Sequence, residues 1–364
     1  MYLVSLAVTD FRNLASTVIE LDPEGTTVIT GLNGAGKTSL LEAAAYLATL
    51  QSFRGSPKEA LVRRGAERAI LRAETRAEDR VLTIEAEIQD TGRSRTQVNR
   101  QAVRRRGDLH EAFRVTVFSP EEISVVRSGP ADRRRFLDET LAVVDPKAAR
   151  STEEVEKVLR QRAALLRNSG RILRADTAAT LDVWDARLGE SGTHLVEARE
   201  HLVDQLGPLV TAHYARLAGE DTDIGMTYVR SWHGPLLEAL DACRQKDVQR
   251  GVSTVGPHRD ELELTLAGLP SRTHASQGEQ RSLALALQLA AHQLATDRIG
   301  TAPVLLLDDV FSELDPQRSR ALLEGLPPGQ TLLTTAQPAP PEVIAAKVYA
   351  MAEGGHVVVT GGAT

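Results

Sequence analysis

Cysteine is almost absent from the chain: of 364 residues only Cys243 carries a thiol. An intrachain disulfide framework is excluded, and a single thiol suits a reducing compartment. Aromatic residues make up 4%, which disfavours a surface that stacks the bases of a single strand. Lysine is scarce too, 6 of 43 basic residues against 37 arginines, a skew that GC-rich coding bias explains without invoking function. No run approaches the ~18–20 consecutive apolar residues that span a bilayer. The opening "MYLVSLAVTDFRNL" has neither the basic start nor the apolar core of a secretory signal. Together these absences predict a soluble, cytoplasmic protein with no membrane partner. The formal net charge of −6 does not mark a nucleic-acid binder, yet charge is unevenly placed: Arg54 to Arg106 holds 14 Lys+Arg against 8 Asp+Glu, hence +6.

What is present is a large core in the making, 42% hydrophobic residues over a length that suits one large or two smaller domains. The first 30 residues predict strands "YLVSLAVT", "STVIEL" and "TTVIT", the last two separated by an Asp22-Pro23-Glu24-Gly25 turn. Residues 38–50 have helical spacing and Ala/Leu propensity. "RAILRAET" and "VLTIEAEI" read as strands, and in the second Leu82, Ile84, Ala86 and Ile88 alternate with polar residues, as in a half-buried antiparallel strand. Near Pro130 the character changes. Residues 131–218 hold almost no strand signal; Val155, Val158, Leu159, Arg162 and Leu166 share one helix face, and Leu181, Trp184, Leu188 and Leu195 continue the spacing. Strands resume at "VSTVGPHRDELELTL", "PVLLLDD" and "TLLTT", with a terminal hairpin around Gly354-Gly355. The expected architecture is α/β, an N-terminal part over 1–130 and a C-terminal part over 253–364, with a helical domain inserted over 131–252.

Gly31-Leu32-Asn33-Gly34-Ala35-Gly36-Lys37-Thr38 matches the phosphate-loop pattern G-x-x-x-x-G-K-[ST], followed by Ser39. Glycines let successive N–H groups curl around phosphate oxygens, and the helix that follows adds a positive end. Lys37 is expected to bridge the terminal phosphates and Thr38 to hold Mg2+. The strand ending in Asp308-Asp309 supplies acids. Asp308 is placed to share the metal and Asp309 to orient or deprotonate the attacking water. "SQGEQRSLALALQLAAHQLA" begins like a capping box, Ser276 with Glu279. The cap does not require Gly278, Gln280 or Arg281.

The order of these parts, with "SQGEQR" before the acidic strand and "SELD" after it, resembles the ABC-type ATPase heads. "SQGEQ" departs from the transporters' Leu-Ser-Gly-Gly-Gln by an Ala before the Ser and by Gln277 and Glu279. "VTDFRNL" resembles the Phe-Arg-Asn element that opens SMC-like and RecF-type heads. "FSPEEISVVRSGPADRRRFLD", "VGPHRDELELTLAG" and "LLDDVFSELDPQRSRAL" look like three hallmarks of the RecF family, Ser128 standing where that pattern has Gly. The resemblance runs from the first strand to the last.

That resemblance implies an ABC-type ATPase head with an inserted α-helical domain, ATP and Mg2+ as ligands, and a weak, dimer-dependent ATPase. Ser276, Gly278 and Gln280 would meet the γ-phosphate held by a second subunit, making dimerisation ATP-dependent, with Asp315 across the same interface. The catalytic set is then Asp309, Lys37 and Ser276. Arg12 becomes a nucleotide contact by resemblance, or a surface arginine beside a strand. The implied partners are double-stranded DNA, gapped single–double-strand junctions, RecR, RecO and RecA, in loading RecA on single strands. Arg63, Arg64, Arg104, Arg105 and Arg106 are the candidate DNA contacts, although each arginine run alone also suits a solvated face. A nucleotide-binding subunit of an ABC membrane transporter is the alternative.

Overall fold

The computed structural model describes residues 1–77, 80–103 and 107–361. The chain divides into two compact units, Met1–Glu122 with His213–Gly219 and Leu285–Thr364, and Ile123–Ala212 with Glu220–Ala284.

The first unit holds two sheets. One is antiparallel, in the order β2-β1-β4-β5-β6-β7, from β1 (Tyr2–Phe11), β2 (Leu14–Glu20), β4 (Arg68–Ala77), β5 (Arg80–Gln89), β6 (Arg95–Val98) and β7 (Gln101–Ala102). Its β4 alternates cleanly: Ala69, Leu71, Ala73 and Thr75 are buried, while Arg68, Arg72 and Arg76 face outward. The other runs β15-β14-β3-β13-β12-β8, from β3 (Thr26–Thr30), β8 (Val115–Phe118), β12 (Val304–Asp308), β13 (Thr331–Thr335), β14 (Ala345–Met351) and β15 (Val357–Gly361). Pairing is parallel from β8 to β14, and β15 closes the edge as an antiparallel hairpin. β12 and β13 are buried along their whole length, the expected look of central parallel strands.

Helix α1 (Lys37–Thr49) packs against strands of both sheets. It is apolar nearly all round, "LLEAAAYLA", because both flanks meet a sheet. Short α2 (Gly107–Ala112) and α10 (Pro316–Gly325) complete this unit. The second unit contains α3 (Ser124–Arg127), α4 (Pro130–Val144), α5 (Pro146–Asn168), α7 (Leu236–Arg250) and α8 (Ser271–His274). Its small sheet β11-β10-β9 comprises β9 (Ile224–Val229), β10 (Glu261–Leu266) and β11 (Leu269–Pro270). Helices α6 (Ala175–Ala218) and α9 (Gln277–Ile299) contribute residues to both units.

Arg162, on the apolar face of α5, is fully buried. Its Nε donates to Asp185 of α6 at 2.7 Å, and its Nη1 reaches Asp247 of α7 at 3.4 Å and Ser253. Three helices thus share one buried cation. Among the described residues no helix is long and apolar enough to cross a membrane.

Candidate functional site

β3 ends at Thr30 and the chain turns through Gly31–Gly36 into α1. Gly36 stands at φ 114, and a Cβ there would lie 2.4 Å from Leu14 Cδ2, so neither conformation nor space admits a side chain. Gly34, at φ 85, faces open space. No side chain caps α1 and its first turn carries no acid. The leading N–H groups of this helix are thereby left to an external anion, which the helix field favours. An open cavity of about 260 Å3 lies in front of them, lined by Asn13, Asn33, Gly34, Gly36, Lys37, Thr38, Ser39 and Asp309.

Lys37 is buried, and its Nζ donates to the carbonyls of Gly31 at 2.8 Å and Leu32 at 3.0 Å. Leu32 is exposed at the tip of the loop, and Ala35 is buried beneath it. Thr38 Oγ1 donates to Asp308 Oδ1 at 2.9 Å, which joins the start of α1 to the end of β12. Thr334 Oγ1 donates to the same oxygen at 2.7 Å, because Asp308 and Thr334 are partners in the β12–β13 register. Burial pushes the Asp308 carboxyl above its ordinary range; the two hydroxyls oppose that shift, while the negative charges of Glu121 and Asp309 add to it.

Asp309 follows in a left-handed conformation, φ 49, with its Oδ1 accepting from Ala336 N–H at 3.4 Å. The backbone N–H of Asp309 donates to Thr334 O and Thr334 Oγ1. A buried carboxylate served by two hydroxyls offers the oxygen type a hard divalent cation such as Mg2+ takes, while among the described residues no group of three or more acidic, histidine or cysteine side chains converges to hold one. Thr38 and Asp308 are its ligands by type, and the uncapped helix start and Lys37 fit a polyphosphate. The residues present therefore suit both groups.

Arg12 occupies the turn between β1 and β2 and does not line the cavity. Its guanidinium forks onto buried Glu42, Nε to Oε2 at 2.8 Å and Nη2 to Oε1 at 2.6 Å. The neighbouring Asn13 does line the cavity: its Nδ2 donates to Gly34 O at 2.7 Å and its Oδ1 accepts from Ser39 Oγ at 2.7 Å. Asn13 and Thr334 are contributions that motif reading passes over. Asn13 was within sight in "FRNL", beside the arginine that drew attention.

In the second unit the capping box of α9 is formed as the spacing predicts. Ser276 N–H donates to Glu279 Oε2 at 2.6 Å, and Glu279 N–H returns to Ser276 Oγ at 3.3 Å. The bonds from Ser276 hold the Glu279 carboxyl below its usual range. Ser276 and Gln277 are exposed and Gly278 is half-buried. Gln280 is buried, its Nε2 donating to Ser271 O and Arg272 O and its Oε1 accepting from Arg127 Nε at 2.7 Å. Its amide therefore braces the start of α9.

Back in the first unit, Asp315 caps α10 by accepting from Arg318 N–H at 2.9 Å. Arg63 is exposed and pairs with Asp10 at 3.3 Å, and Arg64 beside it is exposed. Arg104, Arg105 and Arg106 lie outside the described residues.

The family model described as RecF/RecN/SMC N terminal domain matches residues 2–336. The chain is 40% identical to the DNA replication and repair protein RecF of Streptomyces avermitilis over 97% of this chain and 99% of that one. It is 42% identical to the protein of the same name from Frankia alni, over 92% and 93%. Among solved structures, one described as the recombination mediator protein RecF with ATP in the RecFOR pathway superposes with a TM-score of 0.89. That match has 29% identity and covers 99% of this chain and 98% of the other. The transporter alternative gains nothing from these relatives. An ABC-type ATPase head, with its phosphate loop and buried acidic strand built as described, and full-length relatives of one kind place the chain in the RecF family of DNA replication and repair proteins.

Proposed function

We propose that the chain is a cytoplasmic, ATP-dependent DNA-binding protein of recombinational gap repair, with a slow Mg2+-dependent ATPase. The observation that carries this is the Thr38–Asp308 hydrogen bond, which joins the phosphate loop to the acidic strand in a RecF-family chain. The N–H groups leading α1 hold the phosphates of ATP, and Lys37 turns from the Gly31 and Leu32 carbonyls to the β- and γ-phosphates. Thr38 and Asp308 would hold Mg2+, which would supply positive charge against the buried Asp308 carboxylate and the phosphates. Asp309 orients the attacking water from beside the cavity.

Two features of the sequence make turnover slow. Asp309 is one methylene shorter than the glutamate usual in ABC heads, and the residues after β13, Ala336 and Gln337, offer no histidine. Ser276 and Gly278 of a second copy complete the γ-phosphate contacts, so ATP joins two copies, with Asp315 at the same interface. The dimer binds duplex DNA at gaps and single–double-strand junctions, through arginines that include Arg63 and Arg64, and works with RecR and RecO to load RecA.

The test is binding of gapped duplex DNA by wild type and Lys37→Met with ATP, with ADP and without nucleotide. ATP-dependent binding that the variant loses is the expected result. Equal binding in all three conditions by the wild type would overturn the proposal.

A further inference from the structure

The two-residue turn between β1 and β2 reaches the nucleotide cradle through Asn13 alone, and Asn13 is fixed from outside the cradle by Arg12. The amide orientation of Asn13 is set by chemistry: Gly34 O only accepts, so Nδ2 must face it, which leaves Oδ1 for the Ser39 hydroxyl. Gly34 has no side chain and no atom within 4 Å of its missing Cβ. Within the loop the Gly34–Ala35 peptide is held on its N–H side, Ala35 N–H donating to Leu32 O at 3.2 Å, and Asn13 holds the same peptide on its carbonyl side. A carbonyl turned into the cavity would repel phosphate oxygens; Asn13 holds it away, and through Ser39 Oγ it also fastens the first turn of α1.

Arg12 is held as firmly. Its N–H donates to Leu61 O at 2.8 Å, and besides Glu42 its guanidinium reaches Ser56 Oγ at 2.6 Å and Ala60 O at 3.0 Å. Glu42 belongs to the same helix as Lys37 and Thr38, and it also accepts from Ser52 Oγ.

We infer that Arg12 and Asn13 form a positioning clamp for the phosphate loop. Asn13 sets the Gly34 carbonyl and the start of α1, and the pairing of half-buried Arg12 with buried Glu42 sets Asn13. Arg12 acts through its neighbour and touches no phosphate. This rests on the nucleotide reading above and deepens it.

The clamp serves the part of the cradle that ATP and ADP share, whereas a γ-phosphate contact from Arg12 would favour ATP. Binding of fluorescent ATP and ADP is measured on wild type, Arg12→Ala, Asn13→Ala, Asn13→Asp, Ser39→Ala and Lys37→Ala, each checked for native circular dichroism and melting. Arg12→Ala and Asn13→Ala should weaken both nucleotides alike, by about three- to tenfold, the range of one ordinary hydrogen bond. Asn13→Asp should lose more than Asn13→Ala, because its carboxylate opposes Gly34 O and offers no donor.

Ser39→Ala, on a different element, should give a smaller loss and keep the result readable if a turn variant melts early. A loss confined to ATP in Arg12→Ala would overturn the clamp in favour of a γ-phosphate contact. Asn13 variants within twofold of wild type, with Lys37→Ala inactive in binding, would overturn it directly. Wild-type binding by Lys37→Ala would instead remove the nucleotide reading, and the clamp with it.

Discussion

At the scale of single residues the site is organised by a carboxylate in an unfavourable place. Asp308 is 4% exposed, and the negative charges of Glu121 and Asp309 add to the cost of ionising it. Its folded pKa is raised, so the unfolded chain ionises first. The stability it contributes is complete below the ordinary carboxylate range and is lost as pH rises through the folded value. Replacing it with Asn removes a buried charge while keeping the shape. Asp308→Asn is therefore expected to melt no lower than wild type at neutral pH, and, on the proposed function, to lack the Mg2+-dependent part of the rise in melting temperature expected of wild type with ATP. Thermal melts without nucleotide and with ATP, with and without Mg2+, check both halves, and a variant that keeps the Mg2+-dependent rise would remove Asp308 from the metal site. Lys37, Thr38 and Asp308 were legible as candidates because they stand in a contiguous motif or at a strand end. Thr334 and Asn13 were not, because their role comes from strand register and from a turn folding back on the loop.

Elements show the same division between what local pattern reveals and what packing decides. β5 was readable from alternation and the start of α9 from its capping box, since both signals are local. β9 escaped because "IGMTYV" has no fully buried residue and no clean period; it exists as the partner of β10, six residues in register. Arg162 was legible as a position on the apolar face of α5, but not as an ion centre, because Asp185 and Asp247 come from other helices. Truncation of a buried pair costs about 3–5 kcal/mol, so Arg162→Ala should lower the denaturant midpoint severely, by leaving two buried acids short of a cation. A loss under about 1 kcal/mol, the range of an exposed pair, would show that the centre is not buried in solution. Helix α9 carries a second test. His292 is 1% exposed against Thr116 Oγ1 at 2.9 Å, and burial, aided by His213, lowers its pKa from 6.5 to about 4. Below pH 6.5 the unfolded chain takes a proton that the folded one refuses, so stability falls as pH drops from 6.5 to 4. The shift corresponds to about 3 kcal/mol across that window. His292→Gln should flatten the dependence of melting temperature on pH there; an unchanged slope would assign the acid sensitivity elsewhere.

For the whole molecule the decisive matter is whether two copies meet on ATP. Ser276 is exposed at the start of α9, where its hydroxyl, Gly278 two residues on and the positive end of the helix suit an anion, against the carboxylate that Glu279 places in the same turn. Its capping bonds explain why the helix starts there but not why the serine stays exposed. The two roles separate by substitution. Aspartate is as good a cap as serine, so Ser276→Asp keeps the helix start while opposing a γ-phosphate with a negative charge. Ser276→Arg loses the cap, at about 1 kcal/mol, and adds bulk at the same contact. If Ser276 serves only the helix, Ser276→Asp should sediment like wild type with ATP and Ser276→Arg should differ only in melting temperature. If it meets a nucleotide held by a second copy, both variants bind ATP as monomers and neither sediments as the ATP-dependent dimer of the wild type. Because duplex DNA binding is assigned to that dimer, Ser276→Asp should also lose the ATP-dependent part of its DNA affinity, although its Arg63 and Arg64 are intact. Retained ATP-dependent DNA binding by a monomeric Ser276→Asp would break the link between dimer and DNA, and would leave nucleotide and DNA coupled within a single copy.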